Sequence, residues 1–339
     1  MPTEYRPNPG GVIHVPTEYP PFKPIPAWPA PEIDGKIQVV WDMETGDPDD
    51  FLTLLLLCGH PKVNLRAVTI TPGTADQVGL VRWALDRFDL DIPVGSFNYR
   101  CGKDGKQRVS QWHYRAYGDI PPADEPEEGW KVLERELGPD TVMITGGPLK
   151  NLGKRIQEMP LALFDPWPDF GVLMAQGGFA GEGVIPPERQ LPKFAGKRTV
   201  PTYNLNGAPK HAQRVIDCPY FRSERFVGKH ICHGVYYDRE MHERFEAVKD
   251  ESLSLSLIYQ GMEHYMARHP KGKKFHDPLA ACCAIDPDIG KWTKVNLYRE
   301  KGQWGSRLPQ DVPEGHQYSE VEIITEFDHD RFVRVLTAH

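Results

Sequence analysis

The sequence predicts an α/β fold: a single domain with a mostly parallel central sheet flanked by helices, behind a proline-rich N-terminal arm. Two observations predict it. Short apolar runs of strand length alternate along the chain with runs of helical length, the pattern of a parallel sheet covered by helices. The chemically interesting polar residues sit where the strand-like runs end, which is where such sheets bind ligands.

Residues 1–35 hold ten prolines and a near-repeat, Pro2-Thr3-Glu4-Tyr5 and Pro16-Thr17-Glu18-Tyr19. Such a stretch forms neither helix nor central strand and favours extended paths. Tyr5, Tyr19, Phe22 and Trp28 give it apolar handles. It reads as an arm packed on its own domain or a neighbouring subunit, against the plainer reading of a disordered tail. Residues 36–339 form the α/β domain. Ile37 to Trp41 reads as a buried strand, and Phe51 to Cys58, after acidic residues, as a helix with a negative first turn. Leu65 to Ile70 is the next strand and Gln77 to Phe88 the next helix, with a further strand starting at Ile92-Pro93-Val94. Thr141 to Thr145 and Val172 to Met174 are strands ending in Gly146-Gly147 and Gly177-Gly178. Phe226 to Cys232 is another strand candidate, and Glu188 to Thr199 a basic, irregular excursion or lid. Residues 252–268 and 279–285 read as helices, Val295 to Tyr298 and Val321 to Phe327 as a late strand pair, and Phe332 to Leu336 as a closing helix.

The 339 residues carry a net charge of −7 and a pI near 6.0. This balance argues against a nucleic-acid or anionic-membrane partner, both of which need basic surface. Six cysteines, none spaced as CxxC, read as buried thiols in a reducing compartment. There is no charged-then-apolar opening segment and no apolar run near the ~20 residues that span a bilayer. The expectation is a soluble cytoplasmic protein acting on a small molecule.

The most informative stretch is Asp42-Met43-Glu44-Thr45-Gly46-Asp47-Pro48-Asp49-Asp50, with five carboxylates in nine residues between an apolar strand and an apolar helix. Carboxylates this close repel one another and are costly to bury uncompensated. A hard divalent cation such as calcium, which takes six to eight oxygen ligands, resolves both problems. A solvated acidic helix N-terminus is the plainer alternative. Far along the chain, His276-Asp277 opens an apolar helix within Lys274-Phe275-His276-Asp277-Pro278-Leu279-Ala280. It reads either as a helix cap or as a further metal carboxylate and an imidazole.

These two motifs resemble the inosine–uridine nucleoside hydrolase family, whose fingerprint is a strand followed by D-x-D-x-G-x-D-D and a later His-Asp before a helix. Thr145-Gly146-Gly147-Pro148-Leu149-Lys150-Asn151-Leu152 is similar to the family's G-P-L-T-N segment, and Tyr203-Asn204 to its E-F-N segment. The resemblance runs from about residue 37 to the C-terminus and implies a Rossmann-like nucleoside hydrolase fold. It also implies calcium-dependent hydrolysis of the N-glycosidic bond of a ribonucleoside or modified nucleoside. By position it implies Glu44, Asp50, Asp277 and the Gly146 (or Thr145) carbonyl as metal ligands, with Glu44 also the water-activating base. Asp49 would hold a ribose hydroxyl and take part in catalysis, and Asn204 would bind the sugar. His276 would be the acid at the leaving base, with His113 in reserve. Trp112 reads as a stacking platform or as packing, and His233 as a pocket-rim residue or a core histidine. The family also implies a homodimer or homotetramer.

The sequence departs from the pattern at Glu44, where the family has Asp, and at Thr202, where it has Glu. The turn between Gly46 and Asp49 is one residue longer, and Val184 stands where a sugar-binding Asn is expected. Two other readings compete. One is a metal-dependent phosphatase built on Asp42-Met43-Glu44, which leaves Asp49-Asp50 and His276-Asp277 unexplained. The other is a non-catalytic relative that binds calcium and ribose.

Overall fold

A computed structural model describes residues 28–100, 109–159, 168–315 and 319–339. The strands that matter are β1 (Lys36–Met43), β2 (Val63–Ile70), β3 (Val94–Ser96), β4 (Thr141–Thr145), β5 (Val172–Gln176), β6 (Ser223–Val227), β7 (Gly290–Glu300), β8 (Gln303–Arg307) and β9 (Glu320–Phe327). They lie side by side in the order β3-β2-β1-β4-β5-β6-β9-β7-β8, with short strands at both edges. From β3 to β9 every neighbouring pair is parallel, and the last pairings are antiparallel. The order reverses direction between β1 and β4. Crevices at such a switch point are where open α/β sheets bind ligands.

Alternation along β1 divides the interior. Val39, Trp41 and Met43 join one apolar core, while Val40 joins a second on the other face of the sheet. Asp42, between Trp41 and Met43, faces the second core from the carboxyl end of the strand, in register with Thr69 of β2 and Thr145 of β4.

Five helices bear on the site: α1 (Pro48–Gly59), α2 (Ala75–Arg87), α3 (Gln111–Tyr117), α4 (Leu253–Met266) and α5 (His276–Ile285). Pro48 occupies the first turn of α1, where its missing N–H costs nothing, and Asp49 and Asp50 follow it. From Pro48 to Leu57 every residue of α1 is buried, as befits a helix apolar on nearly all sides. It packs against both α4 and α5. The N-termini of α1 and α5 thereby converge.

Several expectations are refined. The Phe226–Cys232 strand ends at Val227; Gly228 turns the chain into a one-turn helix, Lys229–Cys232. The cause is His230. Its ring folds back to accept from the Ala180 N–H and to meet the Ile324 carbonyl, and a Cβ on Gly228 would lie 2.5 Å from it. His233 therefore caps a helical turn instead of ending a strand. The late strand pair, β7 and β9, is antiparallel, with β8 inserted between them in the chain. The Glu188–Thr199 excursion is two tight turns, Pro187–Arg189 and Pro192–Phe194, then a two-residue strand on β8.

The expected packing of Tyr5, Tyr19 and Phe22 lies outside the described residues. Trp28 packs on the domain: its indole donates to Ser223 Oγ at 3.2 Å, and the Arg225 guanidinium lies over its ring. Glu32–Ile33 pairs with the start of β1. Cys58, Cys218, Cys232, Cys282 and Cys283 are free thiols. No helix among the described residues is long and apolar enough to cross a membrane.

Candidate metal centre

The two acidic motifs meet. One carboxylate oxygen from each of Asp49, Asp50 and Asp277 lies within 4.8 Å of the others, and all three residues are buried. Asp50 Oδ1 accepts from the Glu44 N–H at 2.9 Å, which folds the acidic turn back over α1. The turn is also tied to α2, where Gln77 Nε2 donates to Thr45 Oγ1. Asp277 Oδ1 is buried with no hydrogen-bond partner among the described residues.

Asp49 does different work. Its Oδ2 accepts from the His276 N–H at 3.1 Å and sits 3.5 Å from the Asp277 N. The cap residue of α5, Phe275, offers no side-chain acceptor, so a carboxylate from α1 caps α5. Asp49 Oδ1 pairs with Lys273 Nζ at 3.1 Å. Lys273, itself 5% exposed, also reaches Asp47 Oδ1 at 3.0 Å and its neighbour's carbonyl, which occupies all three donors.

The electrostatics follow from this division. Burial, then the charges of Asp277, Glu44 and Asp49, push the Asp50 carboxyl well above its ordinary range. Burial and Asp49 do the same to Asp277, against the opposing charge of Lys273. Burial would also raise Asp49, but Lys273 and His276 outweigh it and hold that carboxyl low. Burial opposes the charge of Lys273, yet Asp49 and Asp47 together raise its ammonium above the usual lysine value. Asp49 and Lys273 thus form an ion pair, while Asp50 and Asp277 are two mutually repelling acids with oxygen valence left over. That donor set fits a hard divalent cation. Lys273 and one such ion would together balance the three buried carboxylates.

Around this core stand the other residues singled out from sequence. A Cβ on Gly146 would lie 2.4 Å from the Trp41 ring and 2.9 Å from Asp277 Oδ1, so only glycine fits against this carboxylate. The Gly146 carbonyl accepts from Asn204 Nδ2 at 2.7 Å, and the same amide reaches Gln176 Oε1 at 2.7 Å. Glu44 is half-buried; its Oε2 accepts from the Gly46 N–H at 3.1 Å, and it lies outside the three-carboxylate group. His276 Nδ1 lies 3.7 Å from Asp49 Oδ2, and its Nε2 is buried without a partner among the described residues. Burial, then the nearby lysines against Asp49, lowers this imidazole to about 4. His233 stacks on it, with centroids 5.0 Å apart.

His113 and Trp112 sit together in an aromatic cluster on α3 with Phe51 and Tyr117. The Trp112 indole donates to the Gly261 carbonyl, and the His113 ring is buried, which lowers its pKa to about 4. The His113 Nε2 is buried without a partner among the described residues, and the start of α3 is tied to the acidic turn, where the Ser110 N–H donates to the Thr45 carbonyl at 3.3 Å.

Sequence reasoning passed over Lys273, one lysine in the run Lys271-Gly272-Lys273-Lys274, and gave no role to Asn151. Asn151 Nδ2 and Thr69 Oγ1 both donate to Asp42 Oδ1, at 2.9 and 2.7 Å. Asp42 Oδ2 has no partner among the described residues, and burial raises this carboxyl to about 7 against those two hydrogen bonds.

Three buried carboxylates that could hold a cation converge at a switch point, with a capped His-Asp pair beside them, and comparison with known proteins gives the family. The chain belongs to the inosine-uridine preferring nucleoside hydrolase family, whose model matches residues 39–334. The family is metal-dependent, and its members are glycosylases that hydrolyse N-glycosyl compounds. An uncharacterized protein of Aquifex aeolicus (strain VF5) is 25% identical over 282 residues, 80% of this chain and 90% of its own length. Among solved structures, a plant nucleoside hydrolase is 18% identical, with a TM-score of 0.64 over 89% of this chain and 98% of that one. A purine-preferring ribonucleoside hydrolase from Gardnerella vaginalis is 17% identical, with a TM-score of 0.61 over 88% and 96%. These structural likenesses establish the fold.

Two predictions follow from the charges. Lys273→Met leaves Asp49 buried and unpaired, a loss that typically costs about 3–5 kcal/mol; urea unfolding in the presence of a chelator measures it, and a cost under about 1 kcal/mol would remove Lys273 from the centre. Asp42 carries a pH signature. Between about pH 4 and pH 7 the folded chain keeps a proton that the unfolded chain has released, so stability from this group falls as the pH rises through that interval. Asp42→Asn should therefore show a shallower decline of the urea midpoint over that range than the parent protein.

Proposed function

We propose that the protein hydrolyses the N-glycosidic bond of a ribonucleoside or modified nucleoside with calcium as its cation, releasing base and ribose. The observation that carries this reading is the convergence of Asp49, Asp50 and Asp277 with one buried oxygen left partnerless. Calcium would be held by Asp50, Asp277, Glu44 and the Gly146 carbonyl, where it would orient the sugar diol and acidify a water.

The remaining tasks fall to the chain. Cleavage builds positive charge on the sugar, as in other oxocarbenium-like transfers. Glu44 takes the proton of the attacking water; its backbone is held by Asp50 and its turn by Gln77, while its Oε2 rests on the Gly46 N–H. Asp49, held ionised by Lys273, accepts from a ribose hydroxyl, and its negative charge stabilises the developing cation. Asn204, fixed by Gly146 and Gln176, orients the sugar. His276 is neutral at neutral pH, so it meets the leaving base by hydrogen bonding through Nε2. His113, whose Nε2 is buried without a partner among the described residues, is the reserve acid, and Trp112 packs beside it against Phe51. Calcium as the ion and a homo-oligomeric state belong to the same proposal and rest on the family pattern in the sequence; a cytoplasmic setting belongs to it too and rests on the cysteine usage.

A panel of canonical and modified nucleosides, incubated with and without calcium and assayed for free base, tests the reading. Binding of calcium and ribose with no base released from any member would favour a non-catalytic role instead. Asp50→Ala should lose calcium affinity by calorimetry and base release together; retention of both would refute its assignment. Glu44→Gln, which trades a charged ligand oxygen for a neutral one, should keep the fold and a reduced calcium-induced rise in melting temperature while kcat at saturating calcium drops about 10²–10⁴-fold. Near-normal turnover would move the base to Asp49 or Asp42.

A further inference from the structure

The acidic centre continues outward beyond His276 into contacts to which the hydrolytic reading gives no role. His276 lies against Asp49, His233 stacks on His276, and His233 Nδ1 meets Lys193 Nζ at 2.5 Å. Lys193 is therefore the outer end of a path that begins at the carboxylates. It is not a loose loop lysine. The next residue, Phe194, is 6% exposed and packs edge-on against both Phe179 and His233, which pins the turn Pro192–Phe194 over the site.

Two more lysines border the same spot. Lys229 Nζ donates to the Pro201 carbonyl at 2.8 Å, three residues before Asn204. Lys274 stands two residues before His276 and pairs through its backbone with Tyr236. Burial first, then the charges of Lys274 and Lys229, lowers the Lys193 ammonium, and the Lys274 ammonium lies over the Tyr236 ring, 5.8 Å from its centroid. No carboxylate bridges Lys193, Lys229 or Lys274 among the described residues. Like charges gathered beside a binding crevice with no protein counter-ion are an anion site, since each such contact unmade is an unfavourable Coulomb energy.

We propose that Lys193, Lys229 and Lys274 form an anion subsite beside the stacked histidines, so that the preferred substrate is an N-glycoside bearing a phosphate or carboxylate group. This rests on the hydrolytic reading above and narrows its substrate class. A phosphate on the sugar and a carboxylate on the base present the same chemistry to three ammonium groups, and the test separates them.

The test compares kcat/KM for inosine and uridine with that for their 5′-monophosphates and for orotidine, whose base carries a carboxylate. The charged member should be preferred by about tenfold or more, the worth of a hydrogen bond to a charged group. Preference for the monophosphates places the anion on the sugar, and preference for orotidine places it on the base. The preference should shrink with ionic strength, disappear in Lys193→Glu and persist in Lys193→Arg. Equal kcat/KM for charged and uncharged substrates, or a preference indifferent to Lys193→Glu, would overturn the subsite while leaving the hydrolytic reading in place. A second measurement needs no turnover: thermal stabilisation by ribose 5-phosphate or orotate, against ribose. A larger rise with either anion, lost in Lys193→Glu, supports the subsite even where no base is released, and in that case the hydrolytic reading alone fails.

Discussion

A single carboxylate joins the two halves of the site. Asp49 stands in the first turn of α1, yet its Oδ2 caps the first turn of α5 and its Oδ1 holds Lys273. Asp50 follows Asp49 and Asp277 follows His276, so fixing one helix end against the other fixes the two acids that face each other. The helix dipoles assist, because both positive ends point at the same cluster of negative charge. Like-charge repulsion between Asp50 and Asp277 persists beneath this arrangement, and the pair keeps its closeness only because Asp49, Lys273 and the Glu44 N–H hold the backbones in place.

Much of this was legible in the sequence. Apolar runs ending in acids or glycines gave the parallel strands and put the chemistry at their carboxyl ends, and β4 runs from Thr141 to Thr145 as read. The meeting of Asp50 with Asp277 was legible because carboxylates are rare beside buried strands and must be compensated. Lys273 was not, since nothing in a run of lysines says which one turns inward; its burial is decided by Asp49, 224 residues away in the chain. The turn after Val227 was hidden for a similar reason. Apolar residues continue through Ile231 and Cys232, and only the inward rotation of His230 explains why the strand stops.

The histidines illustrate the limit more sharply. In sequence His113, His233 and His276 offer the same chemistry. Position separates them: His276 beside Asp49, His233 between His276 and Lys193, and His113 edge-on to Phe51 behind α1. Burial leads the lowering of all three imidazoles, so their titration alone does not distinguish the one at the centre from the one in the core.

The span of the α1–α5 contact has a consequence for biosynthesis. Asp49 and His276 are separated by 227 positions. A ribosome makes the acidic turn early and its counterpart only after more than four-fifths of the chain, so a nascent molecule carries several carboxylates with neither lysine nor second helix to receive them. Contacts of such long range form late, after the strands between have paired. An incomplete product that stops short of α5 therefore lacks Asp277, and with it one of the three carboxylates that converge in the finished chain.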